Sequence, residues 1–272
     1  MEASVRGAGN LRRSEPWPER PGAEGAESGT MEPYRAAAAA YDLFYRDKDY
    51  EGEVAEIARL VEAYSPDARS VLDVGCGTGA HLAGFSRRFE RAAGIEPSAR
   101  MIEQATIARP GLLIYPGDMR TFRLRDRFDV VTCLFSAIGY MTAVEDLHLA
   151  VHNMTGHLSE GGVLVVEGWV ERDAWDGNRA SAQSAVDDEL VAARVVVSGL
   201  DGDVSTIEMH YLLATIDGVE YVEEVHRMGL FTPEQYRAAF EAAGLRYERA
   251  DGLTSRGLHI GIRDGGIRPA EA

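Results

Sequence analysis

The run Val71-Leu72-Asp73-Val74-Gly75-Cys76-Gly77-Thr78-Gly79 restricts the fold of this chain more than any other stretch. A short apolar segment holding one acid leads straight into three glycines at alternate positions. Ala80-His81-Leu82 then opens a helix-compatible segment. This order reads as a buried strand that turns sharply into a helix. Glycine suits such a turn because it adopts unusual φ values, and because the missing Cβ lets a ligand lie against backbone N–H groups at the positive end of a helix dipole. The spacing is Asp-x-Gly-x-Gly-x-Gly. The dinucleotide fingerprint Gly-x-Gly-x-x-Gly/Ala differs by one residue, and Gly75-x-Gly77-x-x-Ala80 satisfies its variant form. The turn alone leaves three readings open: a nucleoside-cofactor cradle, a dinucleotide cradle, and a tight connection with no ligand.

The sequence after this turn alternates between strand and helix. Strands are expected at residues 70–74, 92–96, 112–115, 128–135 and 163–167, with helices at 80–89, 98–108 and from the Thr142-x-x-Glu145 capping box to 158. Upstream, Val54, Ile57, Ala58 and Val61 form one apolar stripe of a helix that Ser65-Pro66 ends. Downstream of Trp169 the pattern changes to three long strands at 191–198, 204–216 and 219–228. Turn signals at Leu200-Asp201-Gly202-Asp203 and Asp217-Gly218 join them. A second capping box, Thr232-Pro233-Glu234-Gln235, opens a closing helix, and strands at 245–249 and 258–262 follow. The fold class expected is α/β, a doubly wound, mostly parallel seven-stranded sheet with an antiparallel β insertion after the fifth strand. The division expected is a disordered leader over 1–30 with Met31 as the natural start, an α/β core with N-terminal helices over 31–170, the insertion over 171–229, the closing elements over 230–263, and a loose tail over 264–272.

Composition narrows the class of partner. The chain has 272 residues and a net charge of −16, which argues against a nucleic acid or a membrane surface as partner of the whole molecule. No apolar run approaches the ~20 residues of a membrane span, and the N-terminus is polar, so a cytoplasmic location is expected. Cys76 and Cys133 are too few for a disulfide framework and read as small buried fillers. No Cys/His spacing suggests a metal site.

In a doubly wound sheet the ligand lies at the carboxyl ends of the strands, near the switch in strand order. Four strand ends carry suitable groups in sequence. Asp73 can accept from an ammonium group, and Glu96 can take both hydroxyls of a ribose. Gly117-Asp118-Met119 offers a carboxylate for an exocyclic amine and a backbone N–H for an adenine ring. Phe135 ends the fourth strand, where it can flank a sulfonium.

This set resembles the class I S-adenosylmethionine (SAM) methyltransferases. Tyr41-Asp42-Leu43-Phe44-Tyr45, Lys48-Asp49-Tyr50, the glycine turn, Gly117-Asp118-Met119-Arg120, Ser136-Ala137-Ile138-Gly139-Tyr140, Leu230-Phe231-Thr232 and Arg256-Gly257-Leu258 resemble one branch of them. That branch is the N,N-dimethyltransferases of dTDP-linked amino sugars, which make desosamine and mycaminose. The resemblance implies SAM as cofactor, held by Tyr41, Tyr50, Asp73, Gly75, Gly77, Gly79, Glu96, Asp118, Met119 and Phe135. It implies Tyr140, Tyr34 and Glu167 around the acceptor amine, Trp169 and Arg256 toward the rest of the acceptor, and a homodimer. An O- or N-methyltransferase acting on another small metabolite is the alternative. It stays open because Glu167-Gly168-Trp169-Val170 departs from the Glu-Pro-Trp-Trp of that branch.

Overall fold

The computed structural model describes residues 38–176, 179–250 and 256–264. The expected leader, Tyr34 and most of the expected tail lie outside the described residues.

Five strands run parallel: β1 (Ser70–Val74), β2 (Arg91–Glu96), β3 (Ile114–Pro116), β4 (Phe128–Cys133) and β5 (Leu158–Glu167). Two more, β10 (Arg246–Ala250) and β11 (Leu258–Ile262), close the sheet antiparallel. Its order is β10-β11-β5-β4-β1-β2-β3. The expected seven-stranded, mostly parallel sheet is thus the one observed. The chain winds outward from β1 to one side through β2 and β3, then returns to the other side through β4 and β5. The switch falls between β1 and β4.

Parallel strands covered on both faces carry continuous apolar runs, and the period-2 alternation sorts their side chains between two layers. Leu72, Val74, Val131, Cys133, Leu164 and Val166 point to one face. There they meet Leu147, Val151 and Met154 of α5 (Val144–Gly156) and Tyr236 and Phe240 of α6 (Pro233–Ala242). Val71, Val130, Val163, Val165 and Ile260 point to the other face. They meet the stripe Val54, Ile57, Val61 of α2 (Tyr50–Tyr64) and Phe85 of α3 (Ala80–Ser86). The stripe read from the sequence is therefore the buried face of α2.

The insertion is a separate antiparallel sheet of four strands, β6 (Ala180–Val186), β7 (Val191–Asp201), β8 (Val204–Thr215) and β9 (Gly218–Gly229). Its inner face, with Ala185, Ala192, Tyr211, Leu213 and Val222, packs on Ala40, Leu43 and Phe44 of α1 (Ala38–Phe44). Its outer face leaves Val186, Val191, Val195, Val197, Leu212, Val219, Tyr221 and Val225 exposed. Among the described residues no helix is long and apolar enough to cross a membrane.

Several expectations are corrected. The sequence reading omits β6, because this edge strand, Ala-Ser-Ala-Gln-Ser-Ala-Val, buries only Ala185 and so carries no hydrophobic period. The capping box at Thr142 does not form: α5 begins one residue later, with Ala143 as N-cap and no side-chain cap bond. Glu145 and Asp146 instead place negative charge in the first turn, where the dipole favours it. Helix α3 stops at Ser86, not 89, and β5 starts at Leu158, not 163. Strand β4 ends at Cys133, not 135, because the backbone reverses into a left-handed pair. By contrast, Thr232 and Gln235 form their capping box, and Ser98 caps α4 (Ala99–Ala108).

Candidate active site

The carboxyl ends of β1, β2, β4 and β5 converge at the switch point. At β1 the three glycines of the turn have φ of 75°, 55° and 80° at Gly75, Gly77 and Gly79, which an ordinary side chain resists. A Cβ on Gly75 would lie 2.7 Å from the Ala137 methyl, whereas a Cβ on Gly77 would meet nothing within 4 Å. Gly77 thus offers bare backbone to open space, as a cradle for a ligand requires. Below it, the buried Asp73 accepts a 2.8 Å hydrogen bond from Thr132 Oγ1 on β4.

Burial pushes the Asp73 carboxyl up to about 6, against the opposing influence of His81 and of the Thr132 bond. Between about pH 4 and 6 the folded chain therefore binds more protons than the unfolded one. The stability that Asp73 contributes is complete below about pH 4 and is lost as pH rises through 6. Melting temperatures of wild type and Asp73→Asn should accordingly converge in the variant's favour from pH 4 to 7. A constant difference across that range would reject the shift.

Glu96, at the end of β2, is buried with both carboxylate oxygens placed. Oε2 accepts from Gly77 N and Oε1 from Ser98 N, each at 2.9 Å. Both oxygens are thereby fixed beside the glycine turn. Asp118 binds Arg120 through both oxygens, which holds its carboxyl below the usual range. Met119 is buried beside Gly75, and its carbonyl accepts from Asn153 Nδ2 at 3.0 Å.

Beyond β4, Phe135 and Ser136 both have left-handed φ, 50° and 61°. Such a pair is strained for non-glycine residues and persists only when its surroundings fix it. Here Glu167 Oε2, at the buried end of β5, accepts from Phe135 N at 2.7 Å. The Ser136 hydroxyl donates to the Gly168 carbonyl at 2.8 Å and accepts from Arg256 Nη1 at 2.7 Å. The Arg256 guanidinium lies 4.7 Å from the Trp169 ring and 4.0 Å from Glu167 Oε1. Trp169 donates to Ser205 Oγ at 3.0 Å.

Aromatic rings line the side facing α1. Tyr41 packs on Tyr45, and Tyr45 meets Phe135 edge-on at 5.2 Å. Tyr50 packs on His81, and Lys48 sits over both Tyr50 and Phe135. Burial, with Asp42 nearby, pushes the Tyr50 hydroxyl far above its ordinary value, so it stays neutral. The Asp42 carboxylate accepts from Thr78 Oγ1 and Arg109 Nη1, each at 2.6 Å, and ties α1 to the glycine turn. Tyr140 ends a one-turn 3-10 helix (Ala137–Tyr140).

Residues 71–162 match the family described as Methyltransferase domain. The chain is 42% identical over 226 residues to the dTDP-3-amino-3,4,6-trideoxy-α-D-glucopyranose N,N-dimethyltransferase of Streptomyces venezuelae, covering 82% of this chain and 95% of that one. It is 39% identical to the dTDP-4-amino-2,3,4,6-tetradeoxy-D-glucose N,N-dimethyltransferase of Saccharopolyspora spinosa, covering 82% and 91% of the two chains. The chain belongs to the family of SAM-dependent sugar N-methyltransferases. A solved relative is SAM-bound CalS10, an amino pentose methyltransferase from Micromonospora echinaspora involved in calicheamicin biosynthesis. It aligns with a TM-score of 0.73 at 37% identity, over 88% of this methyltransferase and 100% of that chain.

All expected site residues of this methyltransferase except Tyr34, which lies outside the described residues, fall on the strand ends or on α1, α2 and the 3-10 turn beside them. The sequence reading missed Thr132 and the pair Glu224 and His226 of β9, whose imidazole Nδ1 lies 2.7 Å from the Tyr140 hydroxyl. The last two had a signal: acid and imidazole two apart in a strand share one face. Burial pushes both cysteine thiols up, which leaves them unreactive.

Proposed function

We propose that this enzyme transfers methyl groups from SAM to the amine of a dTDP-linked amino sugar. The observation that carries the acceptor class is Arg256, a fork of donors fixed on Trp169 and Ser136 beside the crevice, which suits a diphosphate. The relatives named above, whose names specify such acceptors, support the same reading.

When bound, SAM supplies an electrophilic methyl on a sulfonium whose departure as a neutral thioether needs little covalent help. The protein therefore has to position. Asp73 would hold the methionyl ammonium and Tyr41 and Tyr50 the rest of the methionine, while Gly77 would admit the ligand to bare backbone and Gly75 and Gly79 shape the turn that keeps it open. Glu96 would take the ribose hydroxyls, Asp118 and Met119 the adenine, and Phe135 would lie toward the sulfonium. Tyr140, Tyr34 and Glu167 orient the amine, which must arrive neutral and in line, about 3–3.5 Å from the methyl carbon. Trp169 covers the sugar. A dimer through the apolar outer face of the insertion sheet, and a cytoplasmic location alongside nucleotide sugars, belong to the same proposal.

Methylation of dTDP-3-amino-3,4,6-trideoxy-α-D-glucopyranose, read by mass spectrometry, tests the reading. Products heavier by one and then two methyl groups are expected. Turnover confined to acceptors without a nucleotide would overturn it. Arg256→Ala should raise the KM for the sugar nucleotide about tenfold or more, since a charge-assisted hydrogen bond contributes ~1.5–3 kcal/mol. SAM affinity should not change. An equal loss for both ligands would make Arg256 a structural residue.

A further inference from the structure

Residues 117–124, which carry Asp118 and Met119, form neither strand nor helix, so their backbone has to find hydrogen-bond partners elsewhere. Within the segment the Asp118 carbonyl accepts from Thr121 N at 3.0 Å and from Phe122 N at 2.9 Å. Further bonds go to α5. Asn153 Nδ2 donates to the Met119 carbonyl at 3.0 Å and to the Phe122 carbonyl at 3.2 Å. His157, the residue that caps α5, accepts from Leu124 N on Nε2 at 3.1 Å and stacks on the Phe122 ring at 4.3 Å. Asp146 accepts from Arg120 Nη1 at 3.1 Å, and Arg120 in turn holds both Asp118 oxygens.

Positions 146, 153 and 157 are seven and four apart, which stacks them along one side of the helix. Asn153 and His157 are buried there, beside the apolar Leu147, Val151 and Met154. Burying an amide or an imidazole is costly unless its polar atoms are bonded, and these are. Both amide hydrogens of Asn153 go to loop carbonyls, and its Oδ1 accepts from Arg123 Nη1. His157 Nε2 accepts from an N–H, so the ring hydrogen is on Nδ1, which donates to the Asn153 carbonyl at 2.8 Å. Burial, with Arg123 and Arg127 nearby, holds the imidazole below its ordinary value and so keeps it neutral.

We propose that Asp146, Asn153 and His157 are positioning residues that set the 117–124 loop for adenine before the cofactor arrives. The proposal rests on the reading above, in which Asp118 and Met119 receive the base. The Asp118–Met119 peptide is trans, and Thr121 and Phe122 turn its carbonyl into the loop, so the Met119 N–H points the opposite way. That N–H has no partner among the described residues. The Met119 carbonyl is held by Asn153, so the residue is fixed on both sides and the ligand does not have to order it. Adenine presents an exocyclic amine to the Asp118 carboxylate and a ring nitrogen to the Met119 N–H. Hypoxanthine presents a carbonyl and an N–H in those places, and both groups disfavour it.

Titration calorimetry of the full chain with S-adenosylhomocysteine and S-inosylhomocysteine, which differ only in the base, tests this. The wild type should favour the adenosyl ligand about tenfold or more. Asn153→Ala should weaken S-adenosylhomocysteine about tenfold and bring the two ligands within about threefold of each other. Asp146→Asn, at a partly exposed position, should shift the ratio the same way by a smaller factor. A merely structural defect weakens both ligands equally, so an equal loss, or an unchanged ratio in both variants, would overturn the positioning role. Amide exchange in the wild type, followed by NMR, needs no variant. Phe122 and Leu124 N–H should exchange slowly without ligand, and Met119 N–H should become slow only when S-adenosylhomocysteine binds. Fast exchange at Phe122 and Leu124 in the free protein would overturn the preformed loop. A Met119 amide that stays fast in the complex, or a wild type indifferent to the base, would remove adenine from this loop and the proposal with it. A slow Met119 amide with an unchanged ratio in the variants would sink the positioning role alone.

Discussion

Glu96→Ala loses about 10²–10⁴-fold in SAM affinity, on the expectation that the side chain takes the ribose diol through two charge-assisted bonds of ~1.5–3 kcal/mol each. The loss has a second source. The same carboxylate holds Gly77 N and Ser98 N, so its removal frees the backbone of the glycine turn and the first turn of α4 together. Glu96→Gln keeps the size and part of the bonding and should fall between the two. Titration calorimetry measures the effect. An unchanged dissociation constant for Glu96→Ala would take this residue out of the cofactor site.

Glu167→Ala is the second large expected effect, felt in turnover and in stability. The Glu167 carboxylate is buried and accepts from Phe135 N, the first residue of the left-handed pair. Without it a buried donor is left unsatisfied, at about 1–3 kcal/mol, and the pair loses the contact that over-determines its backbone. Arg256 also loses the nearby negative charge 4.0 Å away, although its partial exposure makes that part small. The melting temperature should fall by about 2–4 °C per kcal/mol for a chain near this size. Turnover should fall about 10²-fold, because Phe135 and Ser136 carry the wall of the crevice and the seat of Arg256. A variant that melts and turns over like wild type would show that the pair is held by other contacts.

Much of the sheet was legible because its central strands are buried on both faces, and their apolar runs leave little choice. The glycine turn was legible for a different reason: few backbones need three glycines at alternate positions. Glu96 and Asp73 could be placed because each ends a recognisable strand. What escaped was set by tertiary contact. Strand β6 has no large apolar side chain except the exposed Val186, and β7, its neighbour in the sheet, supplies the pairing. The left-handed turn at Phe135 and Ser136 is imposed by Glu167, Gly168 and Arg256, which lie 30 or more residues away in sequence. The Thr142 box failed because Ala143 has extended backbone and takes the cap position, which puts Glu145 one residue short of the reciprocal place. His226 was passed over because its partner Tyr140 lies on another layer altogether.

One short segment touches both the insertion sheet and the glycine turn. Helix α1 lays Leu43 and Phe44 on the insertion sheet, while Asp42, between them and Tyr41, is clasped by Thr78 and Arg109 on the nucleoside side. Displacing this seven-residue helix would break both bonds of Asp42 and uncover Tyr211 and Leu213 of the insertion sheet in a single movement.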